Sequence, residues 1–190
     1  MTAPGNQMPS LIEMCLTGNY KTDKFGRSHS YVENFYEQAL APMRDRVRQV
    51  LEIGIYEGGS IQLWRDYFAQ AYITGMDVVV RTVPSERIQL IHQDAYTHHV
   101  ASFFPDGYFD FMVDDGPHTL RSQLSFLDLY LGKLREGGLL VIEDIASMEA
   151  AKALVKHISN QTFTKVEIVD LTSIDTANPV KDSILLTVWR

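Results

Sequence analysis

Two apolar runs that end in paired carboxylates constrain this chain more than any other feature. Phe109-Asp110-Phe111-Met112-Val113 leads into Asp114-Asp115, and His118 stands three residues past the second acid. Further on, Gly137-Gly138-Leu139-Leu140-Val141-Ile142 leads into Glu143-Asp144. Short, nearly continuous apolar runs of this kind read as strands buried on both faces, and such strands belong to parallel sheets covered by helices. Ligands bind at the carboxyl edge of an open parallel sheet. Four carboxylates and a histidine at that edge fit a hard divalent cation with a proton acceptor beside it.

The surrounding pattern agrees. Strands are expected at 49–53, 71–76 (closed by Asp77), 88–92 (closed near Asp94), 108–113 and 139–142. Helices are expected at 61–68, 120–134 and 146–158. Segments 164–169 and 183–188 read as two strands with a loop between them, an antiparallel ending to a mostly parallel seven-stranded sheet with helices on both faces. Before this α/β core, residues 1–9 read as a loose tail and Leu11 to Cys15 as a short helix stopped by Gly18-Asn19. Residues 20–30 form a polar, aromatic, irregular stretch, and residues 31–40 a second helix. The expectation is one domain over 1–190. Residues 1–46 would supply N-terminal helices and a lid, and residues 47–190 the core.

Composition narrows the partners. A chain of 190 residues with 45% hydrophobic and 22% charged residues is an ordinary soluble globular domain. A formal net charge of -7 disfavours a nucleic-acid backbone, which needs a basic footprint. Cys15 is the one cysteine, so no internal disulfide can form and a reducing, cytoplasmic compartment is expected. As a side chain it reads better as a small apolar core residue than as a catalytic thiol. The N-terminus has no basic-then-apolar pattern of a signal peptide, and no apolar run reaches membrane-spanning length.

Glu52-Ile53-Gly54-Ile55-Tyr56-Glu57-Gly58-Gly59-Ser60 follows the first strand and opens a helix. Glycines there permit close approach of a ligand, although a tight strand–helix turn would also use them. The spacing is not the G-x-G-x-x-G of a NAD site. Asp77, about 20 residues on, stands where an acid can accept bonds from a ribose diol. Asp94 stands where one could meet an adenine amino group.

Taken together, E-x-G-x-x-x-G-G-S, the acid closing the second strand and D-D-x-x-H followed by a second acidic pair resemble a class I S-adenosylmethionine-dependent methyltransferase. More narrowly, the chain resembles the metal-dependent sugar O-methyltransferases of the macrocin and mycinamicin type. Tyr20-Lys21-Thr22-Asp23-Lys24, followed by His29 and Tyr31, matches that group's N-terminal T-D-K motif, and residues 58–68 resemble its first helix. The resemblance covers about Tyr20 to Ile145. It implies a Rossmann-like fold, S-adenosylmethionine as methyl donor and Mg2+ as metal. In that reading Glu52, Gly54 and Ser60 line the methionine and ribose end of the cofactor. Asp77 holds the ribose, and Asp94 with the amide of Ala95 meets the adenine. Asp114 also belongs to the cofactor wall. Asp115, Glu143 and Asp144 hold the metal, and His118 is the general base. Thr22 and Lys24 close over the cofactor or the acceptor. The group commonly has D-D-G-S-H and a second histidine four residues on. Here Pro117 replaces the serine and Ser122 stands at the second histidine's place. The chain is also expected to lack the additional N-terminal domain of some relatives.

Simpler readings compete. Either acidic pair could cap the helix that follows it. His98-His99 fit no metal spacing and read as a solvated loop. His29 fits a place near the site or a surface position, and Trp64 and Tyr67 read as core. The function expected is methyl transfer to a hydroxyl of a saccharide or glycosylated metabolite by a homodimeric enzyme, with a small-molecule or oligosaccharide acceptor, no nucleic acid and no membrane span. A cephalosporin hydroxylase-like oxidising enzyme on the same scaffold is one rival, though iron with 2-oxoglutarate usually wants two histidines and a carboxylate. A non-catalytic cofactor-binding module is the other.

Overall fold

The structure, a computed structural model, describes residues 8–26 and 28–190. Most of the expected tail, and Arg27 within the expected lid, lie outside the described residues. Seven strands form one sheet: β1 (Gln49–Ile53), β2 (Tyr72–Asp77), β3 (Ile88–His92), β4 (Phe109–Asp114), β5 (Leu134–Ile142), β6 (Lys165–Asp170) and β7 (Ile184–Trp189). Their order is β3-β2-β1-β4-β5-β7-β6. The pairs among β1 to β5 are parallel, and β7 slots antiparallel between β5 and β6. The chain therefore leaves β1 toward one side for β2 and β3, and later returns to β1's other flank with β4. That reversal between β1 and β4 creates a crevice at their carboxyl ends.

Alternation along each strand divides the core in two, since successive side chains point to opposite faces. Val50, Phe111, Val113, Leu139, Val141 and Leu185 face one side. There they pack on α1 (Leu11–Thr17), on the buried residues of 31–43 and on α3 (Gly59–Tyr67), which supplies Trp64 and Tyr67. Leu51, Met112, Leu140, Ile142 and Leu186 face the other. They pack on α4 (His98–Ala101), α5 (Leu120–Tyr130) and α6 (Met148–His157). Trp64 and Tyr67 are thus core. Leu11, Met14 and Leu40 are buried within the chain.

Three local readings change. The helix expected over 120–134 stops at Tyr130; a 3-10 turn follows at Leu131–Lys133, and β5 begins at Leu134, which pairs with Phe109. Residues 31–40 are a π-type turn (Val32–Tyr36) running into α2 (Glu37–Leu40). His98-His99, read as loop, open the single turn of α4, because Thr97 caps it by accepting from the Val100 N–H. Among the described residues no helix is long and apolar enough to cross a membrane. Cys15 is partly buried, and burial together with Glu33 and Glu37 pushes its thiol up to about 11, which makes it a poor nucleophile at neutral pH.

Candidate active site

Sheet register builds the site. Ile53 pairs with Asp114, and Asp114 with Ile142, so the residues just past them, Gly54, Asp115 and Glu143, emerge side by side at the carboxyl edge. Backbone bonds continue the ladder by one step: Asp115 N–H to Ile53 O at 2.8 Å and Glu143 N–H to Asp114 O at 3.0 Å. Gly54 has φ +82°, and a Cβ there would lie 1.8 Å from the Asp115 carbonyl oxygen. Only glycine lets strands β1 and β4 close together at this point.

Neither acidic pair is a cap. Thr119 caps α5, in a reciprocal box with Ser122, and Ser147 caps α6. Ser122, which stands where the related group has a second histidine, is taken up by that cap. The acids instead face one another. One oxygen each of Asp115 and Asp144 and a ring nitrogen of His118 all lie within 4.8 Å of one another. His118 Nε2 is 3.1 Å from Asp115 Oδ1 and 3.7 Å from Asp144 Oδ2. Both His118 (φ 53°) and Asp144 (φ 52°) adopt the left-handed backbone region. Non-glycine residues there cost of order 1–3 kcal/mol and cluster at functional sites. This set of hard oxygens with one imidazole suits Mg2+ or a similar cation.

Lys24 lies beneath this cluster, not over the crevice. It is 1% exposed. Its Nζ donates to Asp115 Oδ2 at 2.6 Å and to Glu143 Oε2, and lies 3.4 Å from Glu52 Oε1. Burial opposes its charge, but Asp115, Glu143 and Glu52 outweigh burial and hold the ammonium well above its ordinary range. Glu143 also accepts from Tyr36 Oη at 2.6 Å, so it is held by Lys24 and Tyr36, away from His118. Glu52 is fully buried, accepting from Ser60 Oγ (2.6 Å) and Trp64 Nε1 (2.8 Å); it backs the crevice wall without reaching it. His118 responds to the same field. Its partial burial disfavours charge, but the Asp115 hydrogen bond and the carboxylates of Asp144, Asp115 and Asp114 lift its pKa to about 9.

The crevice has a volume of about 1070 Å³. Thr22, Gly54, Ser60, Asp77, Asp94, Ala95, Asp115 and His118 line it. At the far end Asp77 Oδ2 accepts from the Ile55 and Tyr56 amides (3.0 and 3.2 Å), fastening the glycine turn to β2. Asp94 Oδ1 accepts from the Tyr96 amide at 2.9 Å. Asp114 is buried behind Tyr96, whose Oη donates to it at 2.5 Å; burial, with Asp115 adding to it, raises Asp114 to about 7. Of the tyrosines that meet these acids, Tyr31 falls in the N-terminal motif, Tyr36 reads as core because it stands four residues from Leu40, and Tyr96 falls in no motif. Their signal is chemical: buried acids need donors. His29 is buried, stacked on Tyr31, and lies 3.5 Å from Asp144 Oδ1. It belongs to a second set with Asp144 and Asp182, so among the described residues neither set holds two histidines with a carboxylate.

Comparison with known proteins fits this geometry. A tetracenomycin-C rhamnosyl 2'-O-methyltransferase of Streptomyces olivaceus is 31% identical over 153 residues, 75% of this chain and 39% of that protein. Mycinamicin VI 2''-O-methyltransferase of Micromonospora griseorubida is 32% identical over 154 residues, 74% of this chain and 37% of that protein. The chain thus spans well under half the length of these relatives. The MycE methyltransferase of mycinamycin biosynthesis, solved with Mg, SAH and mycinamycin VI, superposes with a TM-score of 0.75 at 23% identity, over 96% of this chain and 55% of that one, a likeness of fold. The family described as a methyltransferase domain matches residues 51–145, half of the chain and the stretch that carries β1, β4, β5 and their strand-end acids. The chain belongs to the methyltransferase domain family.

Proposed function

We propose that this chain transfers a methyl group from S-adenosylmethionine to a hydroxyl of a saccharide or glycosylated metabolite, with a divalent cation, Mg2+ by preference. One observation carries the reading: Asp115 and His118, clustered with Asp144, line the same crevice as Asp77 and Asp94. Two relatives named as 2'-O- and 2''-O-methyltransferases are 31% and 32% identical to this chain over 75% and 74% of its length. Thr22, Gly54, Ser60, Asp77, Asp94 and Ala95 would contact the cofactor, with Glu52 and Asp114 supporting them from behind. Asp115 and Asp144 would hold the cation, with Glu143 as the third carboxylate of the set, positioned by Lys24 and Tyr36. When bound, the cofactor supplies an electrophilic methyl and the cation supplies charge that favours an alkoxide. The chain's part is to align the acceptor and to take its proton. His118, oriented by its Nε2 hydrogen bond to Asp115 Oδ1, would be the side chain that takes it. A single domain, a cytoplasmic setting and a homodimer complete the proposal, and sedimentation velocity decides the last.

The test is methyl transfer from labelled cofactor to a panel of glycosides. Activity should vanish with EDTA and return with Mg2+. His118→Ala should bind S-adenosylhomocysteine normally but lose about 100- to 10,000-fold in rate, the usual cost of a missing general base. Full activity in EDTA would refute the metal. Near-normal turnover of His118→Ala would refute the base.

A further inference from the structure

The loop between β6 and β7, residues 171–183, has polar side chains in unusual places. Loops normally run over the surface with their polar groups in water. Here Asp175 and Asn178 are 4% exposed, Asp182 is 9% and Ser183 is fully buried. None of the four lines the crevice. Burying such groups is costly unless each finds a partner, and the partners point to one place.

Asn178 Nδ2 lies 2.9 Å from His29 Nε2, 2.9 Å from Asp182 Oδ1 and 3.0 Å from Ser183 Oγ, while its Oδ1 accepts from the Val180 amide at 2.9 Å. Both ends of the amide are engaged, so its orientation is fixed. Asp175 Oδ2 accepts from the Ser30 amide at 3.2 Å. Between them, the two residues clamp the stretch from His29 to Ser30. The clamped His29 stacks on Tyr31 with ring centres 4.8 Å apart and planes 16° from parallel. Tyr31 Oη then donates to Asp144 Oδ1 at 2.5 Å. From the other side the Ile145 amide donates to Ile184 O at 3.1 Å, at the start of β7. Asp144 is thus gripped through its side chain and through its following peptide by one loop and its exit strand. Its backbone is left-handed, which is uncommon for a residue other than glycine, although aspartate tolerates it better than most. Its Oδ2 lies on the His118 side, 3.7 Å from Nε2.

We propose that loop 171–183 is a positioning element of the site, in which Asn178 and Asp182, acting through His29 and Tyr31, hold Asp144 so that Oδ2 faces His118. The role of Asp144 as a cation ligand rests on the function proposed above; the positioning itself does not.

The experiment uses the full chain and two readouts. The first is Mn2+ affinity by electron paramagnetic resonance, beside S-adenosylhomocysteine affinity by calorimetry. Loss of a group that orients a metal ligand typically costs about 10- to 100-fold in metal affinity, so Asn178→Ala should weaken Mn2+ by at least about tenfold and leave S-adenosylhomocysteine within about twofold. A merely structural lesion would move both. Asp182→Asn keeps an oxygen that can accept from Asn178 and should stay near wild type, whereas Asp182→Ala should follow Asn178→Ala. The second readout is hydrogen exchange, which needs no metal. Exchange at residues 143–146 should rise in Asn178→Ala with β1 and β2 unchanged. Unchanged exchange there, or Mn2+ affinity within twofold of wild type, overturns the positioning role. A wild type that binds no Mn2+, with exchange responding as expected, overturns the metal reading of Asp144 and leaves the positioning standing. Loss of Mn2+ by Asp182→Asn as large as by Asp182→Ala overturns the hydrogen-bond route, because the charge of Asp182 would then matter by itself.

Discussion

At the scale of residues, His118 is set by the carboxylates around it. Burial alone would lower its proton affinity; Asp115, Asp144 and Asp114 reverse that and carry it to about 9. The metal-free protein therefore holds a charged imidazole at neutral pH. A cation bound by Asp115 and Asp144 must compete with that proton. The sign follows: below about 9 each rise in pH removes proton competition, so metal affinity climbs with pH and flattens above it. Mn2+ affinity at pH 6.5 and 8.5 should differ in that direction, approaching tenfold per unit if one full proton is released. His118→Gln should flatten the dependence. A pH-independent affinity would show that His118 does not share the site with the cation. The acids themselves were legible from D-D-x-x-H and the second acidic pair. Lys24 was not: a lysine in a polar stretch reads as a solvated arm, and nothing local to it shows that three strand-end carboxylates, Glu52, Asp115 and Glu143, will surround its ammonium.

At the scale of elements, the described residues 20–26 and 28–31 form a strap tied down at several points. Tyr20 Oη donates to Asp66 at 2.9 Å, Lys24 to the strand-end acids, and Tyr31 to Asp144. Its backbone runs close against α3, where a Cβ on Gly59 would lie 2.0 Å from the Lys21 carbonyl oxygen. Gly59→Ala should therefore dislodge the strap while costing α3 little by itself, since alanine is the better helix former. Lys21 is exposed and Lys24 buried, so brief trypsin treatment of the wild type should spare Lys24. In Gly59→Ala both bonds should be cut, and the fragments can be read by mass. Identical cleavage in the two proteins would mean that the strap is not seated on α3. The sequence showed 20–30 as a polar, aromatic, irregular stretch. Its anchors could not be read because they lie from about 35 to over 100 residues away along the chain.

At the scale of the whole molecule, the mostly parallel sheet with its antiparallel ending was legible because apolar runs alternate with helices until two strands follow with only a loop between them. The insertion of β7 between β5 and β6 was less so, because the sequence signalled an antiparallel ending without saying which strand would lie inside. What the pattern left open is how far residues 8–46 belong to the core. They supply Leu11, Tyr31, Val32, Tyr36, Leu40 and Met43 to the same cluster as Trp64, Phe68 and Phe111. They also supply Lys24 and Tyr36 to buried acids. Breaking a buried ion pair by removing one partner costs about 3–5 kcal/mol, against a typical domain stability of about 5–15 kcal/mol. Loss of the Lys24 charge alone therefore removes a large share, before the uncovered sheet face is counted. A fragment of residues 47–190 should not fold cooperatively: expect aggregation and no sharp thermal transition. The full chain should lose far-UV ellipticity and tryptophan fluorescence in one coincident transition, since Trp64 reports the face that residues 8–46 cover. A fragment that unfolds cooperatively, or two separated transitions in the full chain, would make the N-terminal elements an accessory to the core and not part of it.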